Sequence, residues 1–254
     1  MKITFLGTGT SQGVPVIACE CAVCRSDDPR DQRLRCAVLI EEDGRHLVID
    51  TGPDFRQQML RVQAKRLDAV LFTHHHKDHL AGLDDIRAFN FRQGVPMDIY
   101  ANSITIGALH KEFSYVFADE KYPGVPSVVV HEIDRAPFEA AGFAITPIPV
   151  MHHRLPVLGF RIGDFAYVTD ANYISPSSMA LLRGVQVLVL NALRREPHIS
   201  HFTLAEALAV VAELGPRQAY FTHMSHVLGR HADIDAELPA GVALAYDGLS
   251  FEVD

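Results

Sequence analysis

Between Thr73 and Leu80 the chain reads Thr-His-His-His-Lys-Asp-His-Leu. Four imidazoles and a carboxylate crowded into so short a segment are costly to fold around unless a metal ion holds them. The useful subset is His74, His76, Asp78 and His79, with the spacing H-x-H-x-D-H. Neutral imidazole nitrogens and one carboxylate oxygen suit Zn²⁺, Mn²⁺ or Fe²⁺ better than Ca²⁺ or Mg²⁺. Side chains alternate along an extended segment, so His74 and His76 point one way and His75 the other. His75 is therefore read as a supporting or packing residue.

The remaining chemistry is scattered along the sequence but clustered locally. Ten of the fourteen histidines fall at 74–79, 152–153, 198–201 and 223–226. His46, His110, His131 and His231 stand apart and read as surface or packing residues. Cysteines occur at 19, 21, 24 and 36, three of them close together. With no signal-peptide pattern at Met1-Lys-Ile-Thr-Phe-Leu6, that crowding reads as metal ligation in a reducing compartment, and the cytoplasm is the expected location.

Strands must deliver these groups. Met1–Leu6, Ala37–Glu41 and His46–Asp50 read as strands of a first sheet, and Ala69–Phe72 as a buried strand running into the histidine cluster. Ala144–Ile148, Val157–Ile162, Phe165–Thr169, Val187–Leu190 and Gln218–Thr222 form a second set. Pro53–Val62 reads as a helix with proline in its first turn. Thr203–Leu214 is the clearest helix, with a T-x-x-E capping box at Thr203 and Glu206 and an apolar stripe of Leu204, Leu208, Val211 and Leu214. The strands share a pattern at their C-terminal ends, which run into the histidine cluster, His152-His153, Asp170, Asn191 and His223. Sites form where such strand ends converge.

At 254 residues and 48% apolar composition, with no linker or low-complexity run, the chain is expected to form one domain spanning 1–254. The formal charge of −8 opposes a general nucleic-acid surface. No apolar segment is long enough to span a bilayer.

The ordered set His74-x-His76-x-Asp78-His79, then His152, Asp170 and His223, resembles the ligand set of the metallo-β-lactamase superfamily. The resemblance covers nearly the whole chain and implies a four-layer αβ/βα sandwich. Leu6-Gly-Thr-Gly-Thr-Ser-Gln-Gly-Val-Pro15 leading into Cys19-x-Cys21-x-x-Cys24 is similar, more narrowly, to PhnP-type cyclic phosphodiesterases. So are Gly82-Leu-Asp-Asp-Ile-Arg87, Glu196-Pro-His-Ile-Ser-His-Phe202 and Thr222-His-Met-Ser-His226. Carried over residue by residue, His74, His76 and His152 would bind one catalytic cation, and Asp78, His79 and His223 a second. Asp170 would bridge them. The resemblance selects His152 over its neighbour His153. It also implies a structural zinc held by Cys19, Cys21, Cys24 and His226 in a loop near 16–26, two catalytic Mn or Zn ions, and a possible homodimer.

The implied chemistry is opening of a small cyclic phosphodiester, such as a ribosyl 1,2-cyclic phosphate, by a hydroxide bound between two metals about 3.5–4 Å apart. Asp78 is expected to orient that nucleophile as well as to ligate. His201, just before the capped helix, is the candidate donor to the leaving oxygen, with His198 as its competitor. A closed Cys₃His site has no open position for substrate and is structural; Cys36 reads as a buried strand residue. Gly7–Gly13 lacks the Lys-Ser/Thr ending of a Walker A loop and reads as a turn that brings backbone close to the site. Asp50–Asp54 reads as a turn beneath the metals. Arg87, Asn90 and Arg92 are read either as substrate contacts or as a solvated helix face. The competing functions are a tRNA-processing nuclease, for which no basic arm is present, a lactonase, and a non-catalytic protein like the type B protein of pyrroloquinoline quinone biosynthesis. The complete ligand set favours catalysis.

Overall fold

The computed structural model describes residues 1–253 and builds them into two β-sheets. The first sheet takes β1 (Lys2–Gly7), β2 (Ala37–Glu42), β3 (Arg45–Ile49), β4 (Ala69–Leu71), β5 (Met97–Ala101) and β6 (Val128–Glu132). The second takes β7 (Phe138–Ala140), β8 (Phe143–His152), β9 (Leu155–Ile162), β10 (Phe165–Val168), β11 (Tyr173–Ile174), β12 (Val187–Asn191), β13 (Gln218–Thr222) and β14 (Val242–Leu244). The last strand, β15 (Ser250–Glu252), returns to the first sheet beside β1. Strand order is β15-β1-β2-β3-β4-β5-β6 in one sheet and β11-β8-β9-β10-β12-β13-β14 in the other, with β7 beside β8. In each sheet an antiparallel half passes into a parallel half, β3 to β6 and β10 to β14.

Alternation within the strands makes the layers. Along β12, Val187 and Val189 face the first sheet, while Leu188 and Leu190 face helices. Phe5, Val38, Ile40, Leu47 and Ile49 of the first sheet meet Ile145, Phe160, Tyr167 and Val189 of the second in a shared core. Outside the first sheet lie α1 (Phe55–Arg61), α2 (Lys77–Leu80), α3 (Arg87–Gln93), α4 (Ser103–Glu112) and α5 (Ser114–Phe117). Phe55, Met59, Phe89 and Leu109 from these helices cover Leu39, Val48, Val70 and Ile99. Outside the second sheet lie α6 (Pro176–Leu182), α7 (Leu204–Leu214) and α8 (His231–Asp235). Met179, Leu204, Val211 and Ile234 cover Leu188, Leu190 and Phe221 there. The result is the αβ/βα four-layer sandwich. Because both faces of both sheets are covered, the central strands read as unbroken apolar runs.

Differences from the sequence reading have local causes. The helix expected from Pro53 begins at Phe55, because the Asp54 carboxylate accepts from the Arg35 backbone N–H (2.8 Å) instead of capping. β8 is twice the expected length although it contains Pro147 and Pro149. There β7 pairs only with residues 143–145 and β11 only with 150–151, so both prolines sit where one edge of β8 needs no N–H donor. No helix among the described residues is long and apolar enough to cross a membrane.

Candidate metal centre

The local geometry starts at β4. After Leu71 the chain stays extended through His76, whose carbonyl accepts from the N–H groups of His79 (3.0 Å) and Leu80 (3.2 Å). That single turn, α2, wraps Asp78 and His79 back onto the extended segment. The His74 ring then lies 4.5 Å from His76 and 4.2 Å from His79. His75 is half-exposed and belongs to none of the clustered donor groups. The Asp50–Asp54 turn packs tightly below: a Cβ on Gly52 would sit 2.1 Å from the Asp78 carbonyl oxygen.

The second sheet supplies the other groups. His152, the last residue of β8, brings its ring 5.1 Å from His76 and 5.7 Å from His74. Asp170 and His223 follow β10 and β13 at φ +54° and +55°, and Asp50 below the cluster has φ +67°. Left-handed backbone costs a non-glycine residue about 1–2 kcal/mol, so strain is concentrated where these side chains must be aimed. Asn191 holds the Asp170 turn by accepting from the Ala171 N–H (2.8 Å) and donating to its carbonyl (3.0 Å).

The donor atoms converge on Asp170. One carboxylate oxygen lies 3.2 Å from His223 Nε2, 3.0 Å from His201 Nε2 and 3.9 Å from His152 Nε2. The other lies 3.2 Å from His79 Nε2. Asp78 stands 3.2 Å from His79 Nε2 and 3.5 Å from His223 Nε2. Outer atoms fix the tautomers. His79 Nδ1–H donates to Asp50 (2.7 Å), His74 Nδ1–H to Thr73 Oγ1 (3.0 Å), and the Thr73 hydroxyl to Asp50 (2.8 Å). His152 Nδ1–H donates to the Ser200 carbonyl (2.7 Å). The Nε2 atoms of His74, His79 and His223 are buried and have no hydrogen-bond partner. Orphaned imidazole nitrogens aimed at carboxylates in a buried site are the donor set a divalent cation requires.

Charge obeys the same geometry. Burial pushes His74, His76 and His201 below the ordinary histidine value, and His152 down to about 4. Burial also opposes charge on Asp78 and Asp170, but the imidazoles around them hold both carboxyls well below the usual range. Burial opposes charge on His79 as well, but Asp78, Asp170 and Asp50 hold it well above the ordinary value, so a cation there displaces its proton, since neutral imidazoles and ionised carboxylates are the forms that bind metal.

His201 lies inside this cluster, its ring stacked on His223 at 4.8 Å. His198 is only half-buried and touches the far side of His201, Nδ1 to Nδ1 at 3.1 Å. His153 is exposed, outside the cluster. Arg87 pairs with Asp84, and Asn90 binds the Val95 and Ser127 backbone, so neither addresses the centre. Cys36, read from the sequence as a buried strand residue, is buried just before β2. Its sulfur also lies beneath the cluster, among the donor atoms of His79, Asp170 and His223. Burial raises its thiol to about 12. Nothing in the spacing of a lone cysteine signals that position.

A second cluster lies nearby. His226 Nδ1 is 3.3, 3.4 and 3.5 Å from the sulfurs of Cys19, Cys21 and Cys24. With Zn–S about 2.3 Å and Zn–N about 2.0–2.1 Å, the S···N edge of a tetrahedral site is about 3.5 Å. The Cys24 N–H donates to Cys21 Sγ and, with His226, draws that thiol down to about 6, while burial pushes Cys24 up to about 11. Between the two clusters, Met224 bonds Thr8 and Thr10 of the Gly-rich loop, which thus packs its backbone beside His223.

Fold and site define a protein of the metallo-β-lactamase type whose clustered side chains suit divalent cations. The family profile of the β-lactamase superfamily domain matches residues 45–224. A crystal structure of a new diphosphatase from the PhnP family superposes with TM-score 0.94 at 41% identity, covering 100% of this chain and 98% of that one. The chain belongs to the β-lactamase superfamily and, within it, to the PhnP family. It is also 38% identical over 257 residues to an octanoyltransferase of Porphyromonas gingivalis (strain ATCC BAA-308 / W83), covering 100% of this chain and 52% of that protein. The chain thus spans about half the length of that curated relative. Zn(2+)-bound PqqB from Methylobacterium extorquens shares the fold, with TM-score 0.79 at 20% identity and 100% coverage of both chains.

Proposed function

We propose that the chain is a dinuclear phosphodiesterase that opens a small cyclic phosphodiester such as a ribosyl 1,2-cyclic phosphate. His74, His76 and His152 would hold one Mn or Zn ion and Asp78, His79 and His223 a second, with Asp170 available to both. Cys19, Cys21, Cys24 and His226 would hold a structural zinc. The observation that carries this reading is the set of partnerless Nε2 atoms of His74, His79 and His223 around the Asp170 carboxylate. Similarity to a PhnP-family diphosphatase supports phosphoryl chemistry, since a diester and a phosphoanhydride present the same disubstituted phosphorus and differ in the leaving group.

Bound cations supply Lewis acidity, which lowers the pKa of water and offsets the charge of the displacement. The protein's own groups do the rest. Asp170 can serve two ions because a carboxylate has two oxygens, whereas each imidazole has one free nitrogen. Asp78, beside it, orients the attacking oxygen. His201, neutral by burial, donates from Nε2 to the leaving oxygen as charge develops there. His198 and Ser200 support its other nitrogen.

The test is a substrate panel for the purified, metal-counted protein: bis(p-nitrophenyl) phosphate, 2′,3′-cyclic nucleotides, ribose 1,2-cyclic phosphate, a diphosphate ester and a lactone. Turnover of phosphate esters that His76→Ala abolishes is the expected result. Lactone turnover with every phosphate ester inert overturns the reading.

A further inference from the structure

Beneath the centre lies a buried thiol that the catalytic reading leaves unused. A buried cysteine ordinarily serves as a small hydrophobe. Cys36 is fully buried, yet it belongs to none of the apolar clusters among the described residues. Its surroundings are polar. The sulfur is 3.6 Å from the Thr169 hydroxyl. It shares a group with a ring nitrogen of His79, a carboxylate oxygen of Asp170 and a ring nitrogen of His223, all within 4.8 Å of one another and all on buried residues. Nε2 of His79 and both ring nitrogens of His223 have no hydrogen-bond partner. An imidazole nitrogen and a thiolate on opposite sides of one zinc stand about 4.4 Å apart, so the four atoms are spaced to share a cation.

The backbone is built to bring the sulfur there. The Cys36 N–H donates to the Gly9 carbonyl (3.0 Å), and the Gly9 N–H to the Leu34 carbonyl (2.7 Å). Gly9 also bridges Arg35 on one side and Met224, next to His223, on the other. A Cβ on Gly7 would sit 2.0 Å from the Arg35 carbonyl oxygen, and one on Gly9 2.7 Å from that of Arg33. Only glycine lets the loop lie so close. The Arg35 carbonyl accepts in turn from Gln58 Nε2 of α1 (2.8 Å), and the Arg35 N–H donates to Asp54 (2.8 Å). Cys36 is thus fixed from the Gly-rich loop on one side and from α1 and the turn before it on the other. The two proposed cation positions then differ. His74, His76 and His152 gather without sulfur, whereas His79 and His223 share their donor group with a thiol.

We infer that Cys36 is a further ligand of the second cation position and selects its metal. Thiolate favours Zn²⁺ over Mn²⁺, and a thiol that coordinates gives up its proton. This inference rests on the dinuclear reading of the centre.

The test strips the catalytic cations from the wild type, Cys36→Ser and Cys36→Ala by chelation and refills the centre with Co²⁺, which reports sulfur ligation as charge-transfer absorption in the near ultraviolet. The Cys19, Cys21, Cys24 and His226 cluster contributes alike to all three proteins and cancels in the differences. Per cobalt bound, the wild type is expected to absorb more strongly than either variant. Competition between Zn²⁺ and Mn²⁺ is expected to show a zinc preference about tenfold larger in the wild type. Equal absorption per cobalt overturns the inference, even where the zinc preference changes. If neither variant folds or takes up cobalt, anomalous diffraction at the cobalt edge from wild-type crystals decides. A peak about 2.3 Å from Cys36 Sγ supports ligation, and a peak beyond sulfur contact refutes it. A sulfur signal with every phosphate ester inert removes the phosphodiesterase reading and leaves Cys36 in place. Turnover on two cations with no sulfur contact removes only the Cys36 role.

Discussion

At the scale of single residues, Asp50 does the most without touching the centre itself. It accepts from both His79 and Thr73, and Thr73 accepts from His74, so one carboxylate sets the tautomer of a histidine in each proposed metal position. Asp50→Asn is expected to weaken metal binding about 10–100-fold while the fold is kept, measured by metal titration with circular dichroism as control. His201→Ala should lower kcat about 10²–10⁴-fold with metal content intact; loss of an ion instead would make His201 a ligand. The histidine spacing is enough to nominate these residues, but not to separate His152 from His153. That distinction depends on where the β8–β9 hairpin turns, which is a property of strand pairing.

Elements carry a second set of consequences. α7 is legible because its signals are local: Thr203 and Glu206 form the capping box, and Gly215 ends the helix at φ +61°. Thr203→Ala is expected to cost about 1 kcal/mol in urea unfolding. The loop at 16–26 is legible for the same reason, its ligands lying close in sequence apart from His226. Cys21→Ser should lose about one zinc per chain and several kcal/mol of stability, since metal binding and folding are coupled; unchanged metal content would discard the site. By contrast, Pro147 and Pro149 hide the length of β8, because their tolerance depends on which neighbours flank that strand. β5 and β6 pair through register with distant strands, and β6 is only half-buried, so its face shows no strong pattern.

For the molecule as a whole, the sandwich matters because it brings the ends of β4, β8, β10 and β13, drawn from both sheets, to one place. Sequence reading reaches this architecture through the order of motifs; nothing in any single strand specifies which sheet it joins. Away from the centre, His231 is buried, and burial together with Arg30 and Arg33 lowers its pKa. The unfolded chain then binds a proton at about 6.5 that the folded chain refuses, so this contribution to stability is present above that pH and fades as pH falls below it. His231→Gln is expected to flatten part of the loss in unfolding free energy between pH 7 and about 5.5, by at most about 1.4 kcal/mol per pH unit.

The central claim is that residues from both sheets enclose a pair of cations. Anomalous diffraction from crystals grown with Mn²⁺ or Zn²⁺ tests it most directly. The account expects two peaks about 3.5–4 Å apart, one within reach of His74, His76 and His152, the other of Asp78, His79 and His223, with Asp170 touching both. A centre without density, or a single ion held by other side chains, would contradict it.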